Sequence, residues 1–339
     1  MATTANQTTA IALYSGGLDS TLACRVVAEQ GIRVIAITFV TPFFGYDLLE
    51  RRTQHIQAVK EKYNIDLMVV DVSREYLQLL RDPPHGFGKN FNPCVDCKIL
   101  LLSKAKEMMG ELHASFLITG EVVGQRPMSQ RKDTLRIIER DSGCEDFLVR
   151  PLCAQRLPPT KPELTGLIDR AQLLAFGGRT RTPQIQLAAR LGIEDFPSPG
   201  GGCVLTDPIL AKRIEQYYRQ HDTLAVDDIR LLLMGRQFRL PHGGWLVLGR
   251  KEQENDRVSA LRRPDDYLLE LLDRPGPTGL LRNATDRRDL ELAAGLVARF
   301  GKKMLHPTSE RSVRITQGDE SITLNVFPVS DATYQSWPR

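Results

Sequence analysis

The apolar run Thr9–Tyr14 leads straight into Ser15-Gly16-Gly17-Leu18-Asp19-Ser20, and that junction limits what the chain can fold into more than any other stretch. A short apolar run that ends in paired glycines reads as a buried strand closing in a tight turn. Asp19–Gln30 then spaces Leu22, Ala23, Val26 and Val27 as a helix does. Arg33–Thr41 reads as a second buried strand, Leu48–Tyr63 as a helix and Asp66–Val72 as a third strand. Strand and helix alternating in this way predict an α/β fold, a parallel sheet with helices on both faces.

The regularity then weakens. Arg81–Pro93 is a loop rich in Gly, Pro and Asn, and Cys97–Leu112 reads as a helix. Ala114–Thr119 is a fourth strand, with the loop Gly120–Pro127 at its carboxyl end, and Phe147–Leu152 a fifth. Pro162–Ala175, Pro183–Leu191, Pro208–Arg219 and Val226–Leu233 read as helices, and Ser198–Cys203 as a glycine hinge. Beyond about residue 234, short strands around Pro-His-Gly-Gly, charged helices and two alternating strands read as a small α+β module. The expected domains are therefore 8–205, a helical connector 206–233, and the module 234–339.

No apolar run reaches the roughly 20 residues of a membrane span, and Met1–Thr9 is polar and uncharged, without a secretory pattern. The chain reads as cytoplasmic, with no membrane partner. In that compartment the six cysteines are core, metal-binding or catalytic residues rather than disulfide staples. A net charge of +4 permits a nucleic-acid partner without demanding one.

The chemistry of the turn follows from its residues. Gly16 and Gly17 open backbone angles closed to other residues and let a ligand approach the main chain. Their N–H groups, with those of the helix they open, favour an anion. Ser15 and Ser20 add hydroxyl donors. Asp19 is itself anionic, so it caps the helix or holds Mg²⁺ rather than touching phosphate. No Gly-Lys-Ser/Thr follows, which rules out the kinase P-loop.

Asn92-Pro93-Cys94-Val95-Asp96-Cys97-Lys98 places two thiols at metal-clip spacing before a helix, whose N-terminus favours thiolate. Only Cys203, behind Gly200-Gly201-Gly202, stands in another conspicuous loop. Cys94, Cys97 and Cys203 would leave one position of an iron–sulfur cluster open. In the rival reading, Cys203 or Cys97 carries a persulfide that the others resolve by exchange. Cys24, Cys144 and Cys153 read as core. A second glycine loop, Thr119-Gly120-Glu121-Val122-Val123-Gly124-Gln125, again lets backbone approach a nucleotide.

Ser15–Ser20 resembles the SGGxDS signature of the PP-loop ATP pyrophosphatases, adenine nucleotide alpha hydrolase-like proteins that cleave ATP between the α and β phosphates. The loop Thr119–Gln125, Arg150-Pro151-Leu152 and the glycine–Cys203 segment are similar to the tRNA 4-thiouridine synthetase branch, here without its THUMP and rhodanese domains. The resemblance spans about residues 8 to 210. It implies ATP and Mg²⁺ on Ser15, Gly16, Gly17, Asp19 and Ser20, with Thr38 and Phe39 lining adenine and Thr119, Gly120 and Gln125 nearby. It further implies a [4Fe–4S] cluster on Cys94, Cys97 and Cys203, tRNA as partner, and sulfide or a cysteine desulfurase persulfide as sulfur donor. The expected product is 4-thiouridine. A persulfide-using 2-thiouridine or 2-thiocytidine thiolase and a non-catalytic RNA-binding protein are the alternatives. Lys98 and Arg150 are placed to assist. An RNA role for the C-terminal module would rest on Arg236, Arg239, Arg250, Arg262, Arg263, Arg282, Arg287, Arg288, Arg299, Lys302 and Lys303.

Overall fold

The structure, a computed structural model, describes residues 7–198, 203–302, 309–335 and 337. Residues 199–202 of the expected hinge and Lys303 lie outside the described residues. The chain divides into two compact units between Asp222 and Thr223.

The first unit contains β1 (Thr9–Leu13), α1 (Leu18–Ala28), β2 (Arg33–Val40), α2 (Arg52–Tyr63), β3 (Asp66–Asp71), α3 (Ser73–Leu79), α4 (Cys94–Glu107) and β4 (Phe116–Thr119). α5 (Lys132–Asp141), β5 (Leu148–Val149), α6 (Lys161–Leu164), α7 (Thr182–Arg190) and α8 (Pro208–Gln220) complete it. The five strands form a parallel sheet in the order β3-β2-β1-β4-β5. β1, β2 and β4 are buried on both faces, which is why β1 and β2 read as continuous apolar runs, whereas edge strand β3 is only partly buried on one face. Ala10, Ala12, Val34, Ala36, Phe116 and Ile118 pack against α1, α2 and α7. Ile11, Ile37, Phe39 and Leu117 face α4 and α5 on the other side. Strand order reverses between β1 and β4, and ligands bind outside the carboxyl ends of strands at such a switch. The Ser15–Ser20 turn and the Thr119–Gln125 loop both lie there.

Three expectations are corrected. The helix over Pro162–Ala175 is broken: α6 starts from a capping box at Thr160 and stops before Gly166, which takes φ +73, and Arg170–Gln172 is a separate 3₁₀ turn. α4 begins at Cys94, not Cys97, so both thiols sit in its first turn. α3 and α5 escaped the sequence reading. α3 has only seven residues, and α5 buries only Leu135 and Ile138 among charged neighbours.

The second unit contains α9 (Val226–Leu232), β6 (Arg236–Arg239), β7 (Trp245–Leu248), α10 (Glu252–Ala260), β8 (Tyr267–Leu271), β9 (Gly279–Arg282), α11 (Arg287–Phe300), β10 (Arg311–Gln317), β11 (Glu320–Val326) and α12 (Asp331–Gln335). Its six strands run β11-β10-β8-β9-β7-β6, every pair antiparallel. β8 and β9 were not anticipated, because both of their faces are covered and the apolar–polar alternation is lost. Leu269 and Leu281 share a cluster with α11, while Leu268 and Leu280 share one with Leu231 and Val258.

Candidate functional site

The turn after β1 has the geometry its glycines predict. Gly16 takes φ +75, and Gly17 is the extended N-cap of α1, with no side chain capping the helix. Uncapped N–H groups at a helix start are free to meet an anion. The Ser20 hydroxyl donates to the Gly17 carbonyl at 2.8 Å, and the two serine hydroxyls lie 3.2 Å apart, so they shape the turn.

The loop after β4 closes on that turn. A Cβ on Gly120 would lie 2.5 Å from both the Asp19 carbonyl carbon and the Ser20 nitrogen, so only glycine fits. Gln125 Nε2 donates to Asp19 Oδ2 at 3.0 Å. Asp19 Oδ1 and Gln125 Oε1 are both buried with no protein partner. Unpartnered acceptor oxygens on two groups that hydrogen-bond each other are hard ligands of the kind Mg²⁺ takes, so the donor chemistry present fits that ion. Thr38, Phe39 and Thr119 lie further inside. Thr38 donates its hydroxyl to the Tyr14 carbonyl at 2.9 Å, Phe39 packs in the core facing α4, and Thr119 donates to Glu121 at 3.1 Å.

Glu121 is the central group that the sequence reading missed. Its buried carboxylate accepts from Arg150 Nε at 3.0 Å and has Lys98 Nζ 3.6 Å from the other oxygen. Arg150, whose side chain is 1% exposed, also bonds Glu139. Burial opposes the charged carboxylate, yet Lys98 and Arg150 outweigh it and hold Glu121 below its ordinary pKa. Arg150 thus bonds Glu121 from within the core and Lys98 faces it at 3.6 Å, while Arg150 Nη2 and Glu121 Oε1 have no protein hydrogen-bond partner. The ion pair also ties Lys98, which follows Cys97, to the loop that touches Asp19 and Ser20.

Cys203 is brought into the neighbourhood of the Cys94/Cys97 turn. All three thiols act electrostatically on the Tyr76 hydroxyl, which hydrogen-bonds Cys97. Tyr76 is 1% exposed and wedged against Phe43 and Phe44, with ring centroids 5.6 and 5.4 Å away. Burial pushes the Cys97 thiol up to about 11 and raises Cys203 as well. This reverses the expectation of thiolate from the helix N-terminus, because desolvation exceeds the dipole here. Asn92 donates to the Cys94 sulfur at 3.1 Å. Among the described residues no three His, Cys, Asp or Glu side chains are arranged to hold a metal ion. That pattern is the one for a single ion; Cys94, Cys97 and Cys203, gathered around the Tyr76 hydroxyl, are the thiols that could hold a larger group. Cys24, Cys144 and Cys153 are core residues, as expected.

His85 fastens the loop before α4. Nδ1 lies 2.7 Å from Asp96 Oδ1, and Nε2 lies 2.9 Å from Asp141 Oδ2. The Asp96 hydrogen bond, against a smaller desolvation, raises the His85 pKa. The tie is thus complete below about pH 6.5 and is lost as pH rises through the folded value. Amide exchange across 85–92 should quicken over that rise by the equivalent of about 0.2–1 kcal/mol. His85→Asn should flatten the dependence, and a wild-type profile without pH response would overturn it.

In the second unit the basic residues are less available than their number suggests. Arg282 is buried against Asp266 and Asp228, Arg263 pairs with Asp228 at 2.9 Å, and Arg299 pairs with Asp331 at 2.8 Å. Arg287 stays 78% exposed. No helix among the described residues is long and apolar enough to cross a membrane.

Residues 5–156 match the sequence-family model described as thiamine biosynthesis protein (ThiI). Over those residues the N-terminal unit is similar in sequence to ThiI. Residues 235–338 match the model described as NFACT protein RNA binding domain. A probable tRNA sulfurtransferase of Ureaplasma parvum is 27% identical over 202 residues, 55% of this chain and 50% of that protein. The tRNA-specific 2-thiouridylase MnmA 3 of Phocaeicola vulgatus is 29% identical over 147 residues, 39% and 37% of the two chains. A 4-thiouridine synthetase solved with RNA and ATP aligns at 20% identity and TM-score 0.39, covering 67% of this chain and 52% of its own. The chain thus spans about half the length of the sulfurtransferases it matches, and the ThiI-like match ends within the first unit.

Proposed function

We propose that the protein is an ATP-dependent tRNA thiolase that adenylates a uridine carbonyl and replaces its oxygen with sulfur. The observation that carries the reading is the Glu121 tie. Gly120 touches the Asp19–Ser20 backbone while Glu121 pairs with Lys98, next to Cys97. A phosphate turn and a cysteine turn are thus held to one short loop, as a two-step reaction on one base requires.

ATP lies on the uncapped start of α1, where N–H groups stabilise the charge that develops on phosphate. Mg²⁺, when bound by Asp19 and Gln125, neutralises phosphate charge. The uridine oxygen attacks the α-phosphorus, the bond to the β-phosphate breaks, and pyrophosphate leaves. A persulfide formed on Cys97 or Cys203 from the external sulfur donor then attacks the activated carbon through its terminal sulfur, and AMP departs. A second cysteine attacks the S–S bond, the thiocarbonyl is released, and an external thiol reduces the resulting disulfide. Were a [4Fe–4S] cluster bound, Cys94, Cys97 and Cys203 would hold it and it would supply an iron position for the sulfur; no step here is routed through it.

The resemblance of Thr119–Gln125 and the glycine–Cys203 segment to 4-thiouridine synthetases supports 4-thiouridine as the product, and the likeness to a 2-thiouridylase keeps 2-thiouridine as the second reading. The match of 235–338 to an RNA-binding domain supports the second unit as the part that docks tRNA. The test incubates purified protein with ATP, tRNA, a persulfide donor and a thiol reductant, then analyses the tRNA nucleosides by mass spectrometry. Thiouridine together with AMP is the expected result. No AMP, or AMP formation unaffected by Ser15→Ala, would sink the reading. Iron and sulfide assays on anaerobically purified protein check the cluster.

A further inference from the structure

Among the described residues, eight buried side-chain polar atoms have no protein hydrogen-bond partner, and five of them belong to Asp19, Gln125, Arg181 and Gln184. Buried polar groups are almost always paired, so such a concentration marks a place where a ligand supplies the partner. Asp19 and Gln125 flank the phosphate turn. Arg181 and Gln184 come from a segment that reads, by sequence, as an ordinary helix start.

The fold brings that segment to the same place. Gly178 N donates to the Val123 carbonyl at 2.9 Å, and a Cβ on Gly124 would lie 3.6 Å from Gly178 N, so the chain before α7 runs beside the Gly120–Gln125 loop. α7 begins with Arg181 as its N-cap and packs on α1, where Leu187 and Ala188 share a core cluster with Leu18 and Leu22. Gln184 lies three and four residues before Leu187 and Ala188, hence on the same α1-facing side. It is 1% exposed, and neither its amide nitrogen nor its amide oxygen is partnered. Arg181 Nε is likewise buried and unpartnered.

Charge decides the ligand class. The Ser15–Ser20 turn contains no cation, Lys98 lies 3.6 Å from Glu121, and Arg150, 1% exposed, is paired with Glu121 and Glu139. A triphosphate on this turn therefore needs a positive side chain from elsewhere. A guanidinium presents a planar donor fork that matches phosphate, and a carboxamide offers a donor and an acceptor at once.

We propose that Arg181 and Gln184 form a third wall of the nucleotide site, with Arg181 on the phosphates of ATP and Gln184 holding the nucleotide through its amide. This rests on the ATP reading above and adds two residues to it.

The test titrates the full chain with ATP and Mg²⁺, without RNA, by calorimetry. Arg181→Met and Gln184→Leu should each weaken binding by about tenfold to a hundredfold, with Arg181→Lys intermediate. Thermal unfolding supplies the second measurement. Gln184→Leu removes an unpaired buried amide, so its midpoint without ATP should rise by a few degrees, while the further rise caused by ATP shrinks. A lowered midpoint with an undiminished ATP-induced rise would make Gln184 merely structural and overturn its part. If wild type binds ATP and both variants bind it within twofold, the third wall is wrong and the ATP reading stands. If wild type binds no ATP, the reading underneath fails.

Discussion

Gly120→Ala is expected to lower ATP-to-AMP turnover by about a hundredfold while leaving the first unit folded. The new methyl would overlap backbone, not a flexible side chain: it would sit 2.5 Å from the Asp19 carbonyl carbon and the Ser20 nitrogen and 2.6 Å from the Asp19 oxygen. Backbone of a helix start cannot rotate away, so either the β4 loop or α1 must shift. Overpacking of this kind costs about 1–3 kcal/mol, which a domain of this size survives. A displacement near 1 Å between groups that orient a reacting phosphate, however, costs on the order of 10²-fold in rate. Gly17→Ala is the steric control. Its Cβ would meet Ser15 Oγ at 3.5 Å, an ordinary contact, on a residue with φ −84. Its unfolding midpoint should stay near wild type. Steady-state AMP release with circular dichroism separates the two effects, and full turnover in Gly120→Ala would refute the close approach.

What could be read from the sequence was what is local. Ser15–Ser20 declares itself because strand, glycines and helix are contiguous, and both faces of β1 and β2 are buried, so their apolar runs are unbroken. That the strands run parallel follows from the same alternation; their order does not. Cys94 and Cys97 are visible as a spacing, and Cys203 only because glycines precede it. The Glu121 network was not legible. Glu121 reads as one more polar residue in a loop, its partners Lys98 and Arg150 come from α4 and from beyond β5, and Glu139, the second partner of Arg150, comes from α5. Tyr76 and Gln184 fail for the same reason: each gains its meaning from a neighbour far along the chain. Arg282 shows the opposite error. Counted with the basic residues of an RNA face, it is instead buried on Asp228 and Asp266.

Arg150→Met should destabilise the first unit by about 3–5 kcal/mol, read as a lowered urea midpoint. The substitution leaves volume and shape nearly intact and removes only the charge and its donors. Glu121, 3% exposed, and Glu139, 21% exposed, then lose their main partner, and a buried carboxylate stripped of its counter-ion costs that much. Lys98, 3.6 Å away, is too distant to replace two hydrogen bonds. A second substitution tells charge from packing: in Glu121→Met with Arg150→Met the uncompensated charge at Glu121 is gone, and much of the lost stability should return, since apolar pairs often match buried ion pairs. The pH dependence gives an independent reading. Glu121 is held below its ordinary pKa, so its share of stability is present above about pH 4.3 and is lost as pH falls through the folded value. Acid unfolding of wild type should therefore fall more steeply than that of the double variant. Equal slopes, or a double variant no more stable than Arg150→Met, would show that the network neither holds the loop by charge nor fixes Lys98 beside the cysteine turn.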